Sequence, residues 1–343
     1  METPKKLIAC LGDSQNHVGN WLRLYDDRFV DRSWTGPPEF KFVTEPVSSH
    51  PEFLDGVSTH DVLIPNFSGL RVRIYQPETK PGDKLPILLH FHGGGFCITQ
   101  PNWFLYAHFY SRLTRTARGI CISVYLRLGP ENRLPGAIDD AFFGLLWLQS
   151  VAKHETNPPE CLADDGADFN RVFLIGDSTG GNLVHQVAVR AGKLDLTPLR
   201  LAGGIELQPG FVRSRRSKSE SENPESPFFT LDMVDKLFIL GLPVGSNKDH
   251  PITCPMGEAA PSLDDVEVPP LLVCVAEKDL IVDTQLEYCE AMKKAKKEVE
   301  VFVSTKGMGH GFYLNSLAVE TDADAAEQTE CLVAKIKEFI NSH

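Results

Sequence analysis

From residue 85 onward, apolar and polar positions fall into alternating blocks. Residues 86–91 are a continuous apolar run that reads as a buried strand, and a helical stretch follows at 103–117. The rhythm continues through strand 119–125, helix 138–152, strand 171–175 and helix 181–191. Strands at 201–207 and 270–276, a helix at 282–296, a strand at 299–303 and a C-terminal helix at 324–340 complete it. The predicted strands are apolar on both faces. Such strands, alternating with helices, specify an α/β fold with a mostly parallel sheet covered on both sides.

Two regions depart from this rhythm. Upstream, 57–65 and 70–75 alternate with period two and flank Asn66-Phe67-Ser68-Gly69, predicting an antiparallel hairpin. Residues 1–55 show no strand–helix repeat: Trp21, Leu22, Leu24 and Tyr25 make a short amphipathic patch before a proline-rich stretch at 36–51. Downstream, the run from Arg213 to Pro224 (RSRRSKSESENP) reads as a solvated polar loop, because glutamates follow its basic residues immediately. An amphipathic helix at 231–240 comes next. Long insertions in compact folds are usually functional, so the segment at about 210–250 is expected to sit above the C-terminal strand edge as a cap, packed with the N-terminal residues. The implied organisation is an N-terminal cap or lid over 1–55 and a core over 56–343.

Composition narrows the function classes. The chain has 343 residues, 42% hydrophobic and 23% charged, the proportions of a globular protein. Its net charge of -12 argues against a nucleic-acid partner, since phosphates would go unneutralised. The apolar run at residues 7–11 breaks at Gly12-Asp13, too short for a signal segment, and no run reaches membrane-spanning length, so a cytoplasmic location is expected and no membrane partner. The eight cysteines form no Cys-x-x-Cys pair and no zinc-like cluster with histidine. They read as thiols of a reducing compartment, with neither a metal nor an organic cofactor implied.

The candidate chemistry centres on Gly176-Asp177-Ser178-Thr179-Gly180-Gly181-Asn182. An apolar strand precedes it, and Leu183, Val184, Val187, Ala188 and Ala191 follow at helical spacing. Strand, sharp turn and helix meeting at one serine is what a nucleophile elbow requires: Gly176 and Gly180 allow close backbone approach, and Ser178 stands at the tip in a strained conformation. A serine hydroxyl needs a base, and the base needs an orienting group. Asp279 follows the apolar strand ending at Ala276, and His310 lies in the Gly309-His310-Gly311 loop after the last strand. Both follow the serine in the order acid, then histidine. Glu277 and Asp283 are the rival acids, and Asp283 is expected to cap the next helix or line the pocket. The loop His92-Gly93-Gly94-Gly95-Phe96 follows a predicted strand; glycine N–H groups from Gly93, Gly94 and Gly95, with that of Thr179, are the candidate oxyanion donors. The same loop lacks the Lys-Ser/Thr and Gly-x-Gly-x-x-Gly spacings of nucleotide cradles.

Taken together, these motifs resemble the hormone-sensitive-lipase-like branch of the α/β hydrolases, and most closely the plant class I carboxylesterases. The resemblance runs over about residues 55–340 and includes Arg127-Leu128-Gly129-Pro130-Glu131-Asn132-Arg133 and Ala167-Asp168-Phe169-Asn170-Arg171-Val172. It implies an α/β-hydrolase fold, a Ser178–His310–Asp279 triad and hydrolysis of small-molecule esters; a monomer or homodimer is expected. Two positions depart from the family pattern: Thr179 stands where serine is usual, and Tyr125-Leu126 replaces Asp-Tyr. At 179 only the backbone is expected to matter; at 125 a structural hydrogen bond is expected to change. Gibberellin receptors resemble these esterases but have lost the catalytic histidine, whereas His310 is present here. Related isoflavanone dehydratases eliminate rather than hydrolyse, some with threonine at the serine position, so a receptor-like ligand binder and a dehydratase or cyclase are the alternatives.

Overall fold

The computed structural model describes residues 17–64, 69–159, 162 and 166–343. Its main sheet has eight strands in the order β11-β10-β9-β8-β6-β7-β5-β4. In chain order they are β4 (Val57–Leu63), β5 (Arg71–Pro77), β6 (Leu85–Phe91), β7 (Ile120–Val124), β8 (Ala167–Asp177), β9 (Leu201–Leu207), β10 (Leu271–Ala276) and β11 (Val299–Ser304). β7, β6, β8, β9, β10 and β11 pair in parallel. β5 pairs antiparallel with both β4 and β7. Residues 66–68 of the expected hairpin turn lie outside the described residues.

Period-two alternation divides the strand side chains between two layers. On one face Leu88, Phe173 and Ile205 pack with Phe109 of α1 (Phe104–Ala117) and Ile336 of the C-terminal helix (Ala323–Ser342). On the other, Ile87, Leu89 and Leu174 meet Ala141 and Leu145 of α2 (Gly136–Ala152) and Val184 of α3 (Thr179–Ala191). β11 is an edge strand, and Val303 there is exposed rather than covered.

Residues 17–31 form a separate antiparallel sheet of three short strands, β1 (His17–Val18), β2 (Leu22–Leu24) and β3 (Val30–Asp31). The amphipathic patch anchors it. Trp21 stacks 6.3 Å from Trp103 and lies edge-on to Trp34 at 4.7 Å, and its Nε1–H donates to the Phe228 carbonyl at 3.1 Å. Lys236 also donates to the His17 carbonyl at 3.1 Å, so the described N-terminal residues and the insertion pack together.

The insertion differs from its sequence reading. The polar run at 213–224 is largely exposed, as expected, but it is not all loop: it contains the short helix α4 (Lys218–Glu222), with Ser219 and Glu220 buried. A capping box explains the burial. Ser217 accepts the Glu220 N–H at 3.3 Å, while Glu220 Oε2 accepts the Ser217 N–H at 2.7 Å. The charges are consumed locally as well, Arg216 by Glu220 and Asp235, and Arg213 by Glu287. The amphipathic helix follows as α5 (Leu231–Gly241). At the other departure from the family pattern, Tyr125 donates to Asp61 at 3.0 Å and lies under the Arg71 guanidinium.

Six cysteines, Cys97, Cys121, Cys254, Cys274, Cys289 and Cys331, are free thiols; Cys10 and Cys161 lie outside the described residues. Among the described residues no helix is long and apolar enough to cross a membrane.

Among the described glycines the tightest approach is at Gly180, where an added Cβ would collide with the Phe91 carbonyl oxygen. Gly180→Ala therefore forces α3 away from β6. It should destabilise the protein by about 2–4 kcal/mol and lower the thermal midpoint. A melting curve superimposable on that of the wild type would contradict the packing described.

Candidate active site

β8 ends at Asp177 and α3 begins at Thr179, so Ser178 occupies the single residue between them. Its backbone lies in the left-handed region, with φ 52°. Such a conformation costs an L-residue of order 1–3 kcal/mol and persists only when surroundings over-determine it. Here the Ser178 N–H donates to the Leu207 carbonyl at 2.8 Å, and its own carbonyl accepts from Gly210 at 2.6 Å and Gly181 at 2.9 Å. Gly176 complements this restraint, since a Cβ there would strike the Gly180 backbone.

The three expected triad residues meet. Ser178 Oγ is 2.9 Å from His310 Nε2, and His310 Nδ1 is 2.7 Å from Asp279 Oδ2. Asp279 is fully buried yet well supplied with donors: Oδ1 accepts the Ile281 N–H at 3.0 Å, and Oδ2 also accepts from Gln285 Nε2 at 2.9 Å. The rival acids are engaged elsewhere. Glu277 accepts from the Gly307 N–H at 3.3 Å. Asp283 lies in the first turn of α6 (Val282–Lys294) without capping it, and accepts the Ser219 N–H at 2.8 Å from α4.

One candidate oxyanion donor is engaged elsewhere: the Gly93 N–H donates to the Tyr106 hydroxyl at 3.0 Å and Asp177 Oδ2 at 3.1 Å, so Gly93 is not an oxyanion donor. The N–H groups of Gly94, Gly95 and Thr179 have no acceptor among the described residues, and all three residues border the cavity beside Ser178. Thr179 contributes more than backbone, because its Oγ1 accepts the Phe96 N–H at 3.3 Å and ties the glycine loop to the elbow.

Asp177 is the hub beneath this arrangement. Besides Gly93 it accepts the Tyr106 hydroxyl at 2.9 Å and faces His90 Nε2 at 3.1 Å. Burial pushes the His90 imidazole below its ordinary value despite the carboxylate, so the contact is a hydrogen bond of a neutral ring rather than an ion pair. Burial likewise holds the Tyr106 phenol well above its usual range, which keeps it a hydroxyl donor. His92, pushed down to about 4 by burial, is neutral too; its Nδ1 lies 3.1 Å from the Gly93 carbonyl and 3.0 Å from Thr99 Oγ1, bracing the loop.

Four residues that the sequence did not single out complete the site. Gln285 supports Asp279. Gln208 grips the histidine loop, donating to the Gly309 carbonyl at 3.2 Å and accepting the Gly311 N–H at 2.5 Å. Tyr106 joins the hub, and Phe229 of the insertion stacks on the His310 ring at 3.9 Å and 15°. Gln208 left a readable signal, a polar residue just after the apolar strand β9, and Gln285 lies only six residues after Asp279; Tyr106 and Phe229 depend on long-range packing. Above them lies a cavity of about 360 Å³ bordered by the insertion on one side and by α1 and the segment after His310 on the other. Among the described residues no group of three or more His, Cys, Asp or Glu side chains is arranged to hold a metal ion.

Comparison with known proteins matches residues 88–314 to a family described by the alpha/beta hydrolase fold. The chain is 34% identical to probable carboxylesterase 6 of Arabidopsis thaliana, over 88% of this chain and 85% of that protein. It is equally 34% identical to the gibberellin receptor GID1C of Arabidopsis thaliana, over 80% of each. Among solved structures, an esterase from Pyrobaculum calidifontis superposes with a TM-score of 0.67 at 24% identity, covering 83% of this chain and 84% of the other, which shows a shared fold.

The Gln285 contact has a measurable consequence. Replacing Gln285 with Leu removes one of the donors that orient the Asp279 carboxylate. It should lower kcat for an ester substrate by about tenfold with KM changed less than about twofold, the split expected when alignment rather than binding is lost. An unchanged kcat would mean that Asp279 is oriented without Gln285.

Proposed function

Because the chain belongs to the α/β-hydrolase family, in the hormone-sensitive-lipase-like branch that contains the plant carboxylesterases, we propose that it hydrolyses carboxylic esters of small molecules through an acyl-enzyme. The observation that carries this reading is the continuous contact from Ser178 Oγ through His310 to Asp279, at 2.9 and 2.7 Å. Ser178 Oγ attacks the ester carbonyl carbon while its proton passes to His310 Nε2. Negative charge gathers on the carbonyl oxygen, where the N–H groups of Gly94, Gly95 and Thr179 receive it; losing one such donor typically costs about 100- to 1000-fold in turnover.

The tetrahedral adduct collapses as the carbon–oxygen bond to the alcohol breaks, and His310 gives its proton to the leaving oxygen. Water then attacks the acyl-serine with His310 again as base, releasing the acid and restoring Ser178. Asp279 holds the Nδ1–H tautomer and offsets the charge of the transient imidazolium. The scheme uses no cofactor. It is assigned to a cytoplasmic protein acting on small molecules as a monomer or homodimer.

Similarity to a gibberellin receptor supports a second reading, a ligand-binding protein without physiological turnover. Turnover separates the two. Wild-type protein should cleave 4-nitrophenyl butyrate repeatedly and take up one fluorophosphonate, read as a single mass addition. Ser178→Ala should lose at least roughly 1000-fold in kcat and all labelling. Retention of more than a few per cent of the activity would end the nucleophile assignment, and a labelled wild type that shows no multiple turnover would favour the receptor.

A further inference from the structure

We propose that the cavity above Ser178 selects uncharged esters and rejects those bearing a carboxylate remote from the scissile bond. This rests on the ester-hydrolase reading and adds the substrate's charge class to it. The described residues lining the cavity include no lysine and no arginine. Its ionisable side chains are His310, Tyr106, Tyr313 and the acids Asp177 and Asp322. Most of the remaining wall is apolar, with Trp21, Met233, Leu237 and Phe238 on the cap side and Leu105 and Met308 opposite.

Several cations on the segments around this wall are already committed, and Lys278, two residues before Leu280, is exposed and does not line it. Lys236, on the same helix as Met233 and Leu237, donates to the His17 carbonyl at 3.1 Å and pairs with Asp232 at 2.8 Å. Arg216 is held by Glu220 and Asp235, and Arg133 donates to the carbonyls of Ile239 and Leu242. Arg32 pairs with Glu131 and donates to the carbonyls of Cys97 and Gly129. The N–H groups of Gly94, Gly95 and Thr179 are strong anion donors, but in a reacting complex the scissile carbonyl occupies them. A second carboxylate would therefore lose water without gaining a partner, which is costly in an apolar cavity. The protein's net charge of -12 opposes its approach as well.

The test compares 4-nitrophenyl methyl adipate with mono-4-nitrophenyl adipate, which share a scissile bond and chain and differ in one remote negative charge. At fixed ionic strength and neutral pH, the wild type should show a kcat/KM at least about 100-fold higher for the neutral diester. Met233→Lys, which adds a cation to the wall, should narrow that ratio by about tenfold or more. Calorimetric binding of the same pair to Ser178→Ala reads selectivity without turnover and without relying on the lysine variant to fold. There the neutral ligand should bind at least about 30-fold more tightly. Ratios within about threefold in wild-type kinetics, or in Ser178→Ala binding should neither ligand be turned over, overturn the proposal. Absence of turnover on both esters would count against the hydrolase reading alone, because the binding ratio still decides the charge preference.

Discussion

Backbone crowding at the strand–turn–helix junction governs the rest of the site. Gly176 and Gly180 bring β8, α3 and the end of β6 closer than any side chain would permit, and Ser178 takes up the remaining geometry with a positive φ. The glycine loop leaves β6 at this same point, so crowding also fixes where its N–H groups lie relative to the serine. Asp177 keeps the two in register. One carboxylate gathers His90 of β6, Tyr106 of α1 and the Gly93 N–H, while Thr179 Oγ1 holds Phe96 from the helix side.

The acid and the base arrive from the opposite half of the sheet, on loops after β10 and β11, and a separate set of bonds holds them. Gln285 and the Ile281 N–H fix the carboxylate, and Gln208 fixes the histidine loop. The insertion reaches this machinery directly. Asn223 donates to the Asp279 carbonyl at 2.8 Å, Ser219 Oγ to the Leu280 carbonyl at 2.8 Å, and Phe229 covers the His310 ring. The segment that shapes the cavity thus also braces the acid and the base, so substrate fit and triad alignment share one mechanical element. Lids that both enclose substrate and complete a site follow this logic.

The cavity's chemistry follows from how charge is spent around it. Arg216 and Lys236 of the insertion pair with neighbouring acids, and the N-terminal sheet contributes Trp21 rather than a charge. Local neutralisation is what allowed a run as polar as 213–224 to dock against the core, and it leaves the interior surface apolar.

By itself the sequence determined the α/β architecture, because apolar runs of strand length alternating with helical spacing have few other ways to be buried. It also determined the order of serine, acid and histidine, since each sits where a strand ends and a loop must turn. The capped helix of the insertion rests on a local Ser217–Glu220 pair that the sequence contains, whereas the tertiary structure alone decided that Gly93 spends its N–H on Tyr106 and Asp177 and that Gln208 and Phe229 serve the triad. Their partners lie on other elements, 84 residues away for Gly93 with Asp177 and 103 for Gly311 with Gln208. A local pattern reports which face of an element is buried; what a polar group meets there is set by chain segments the pattern does not contain.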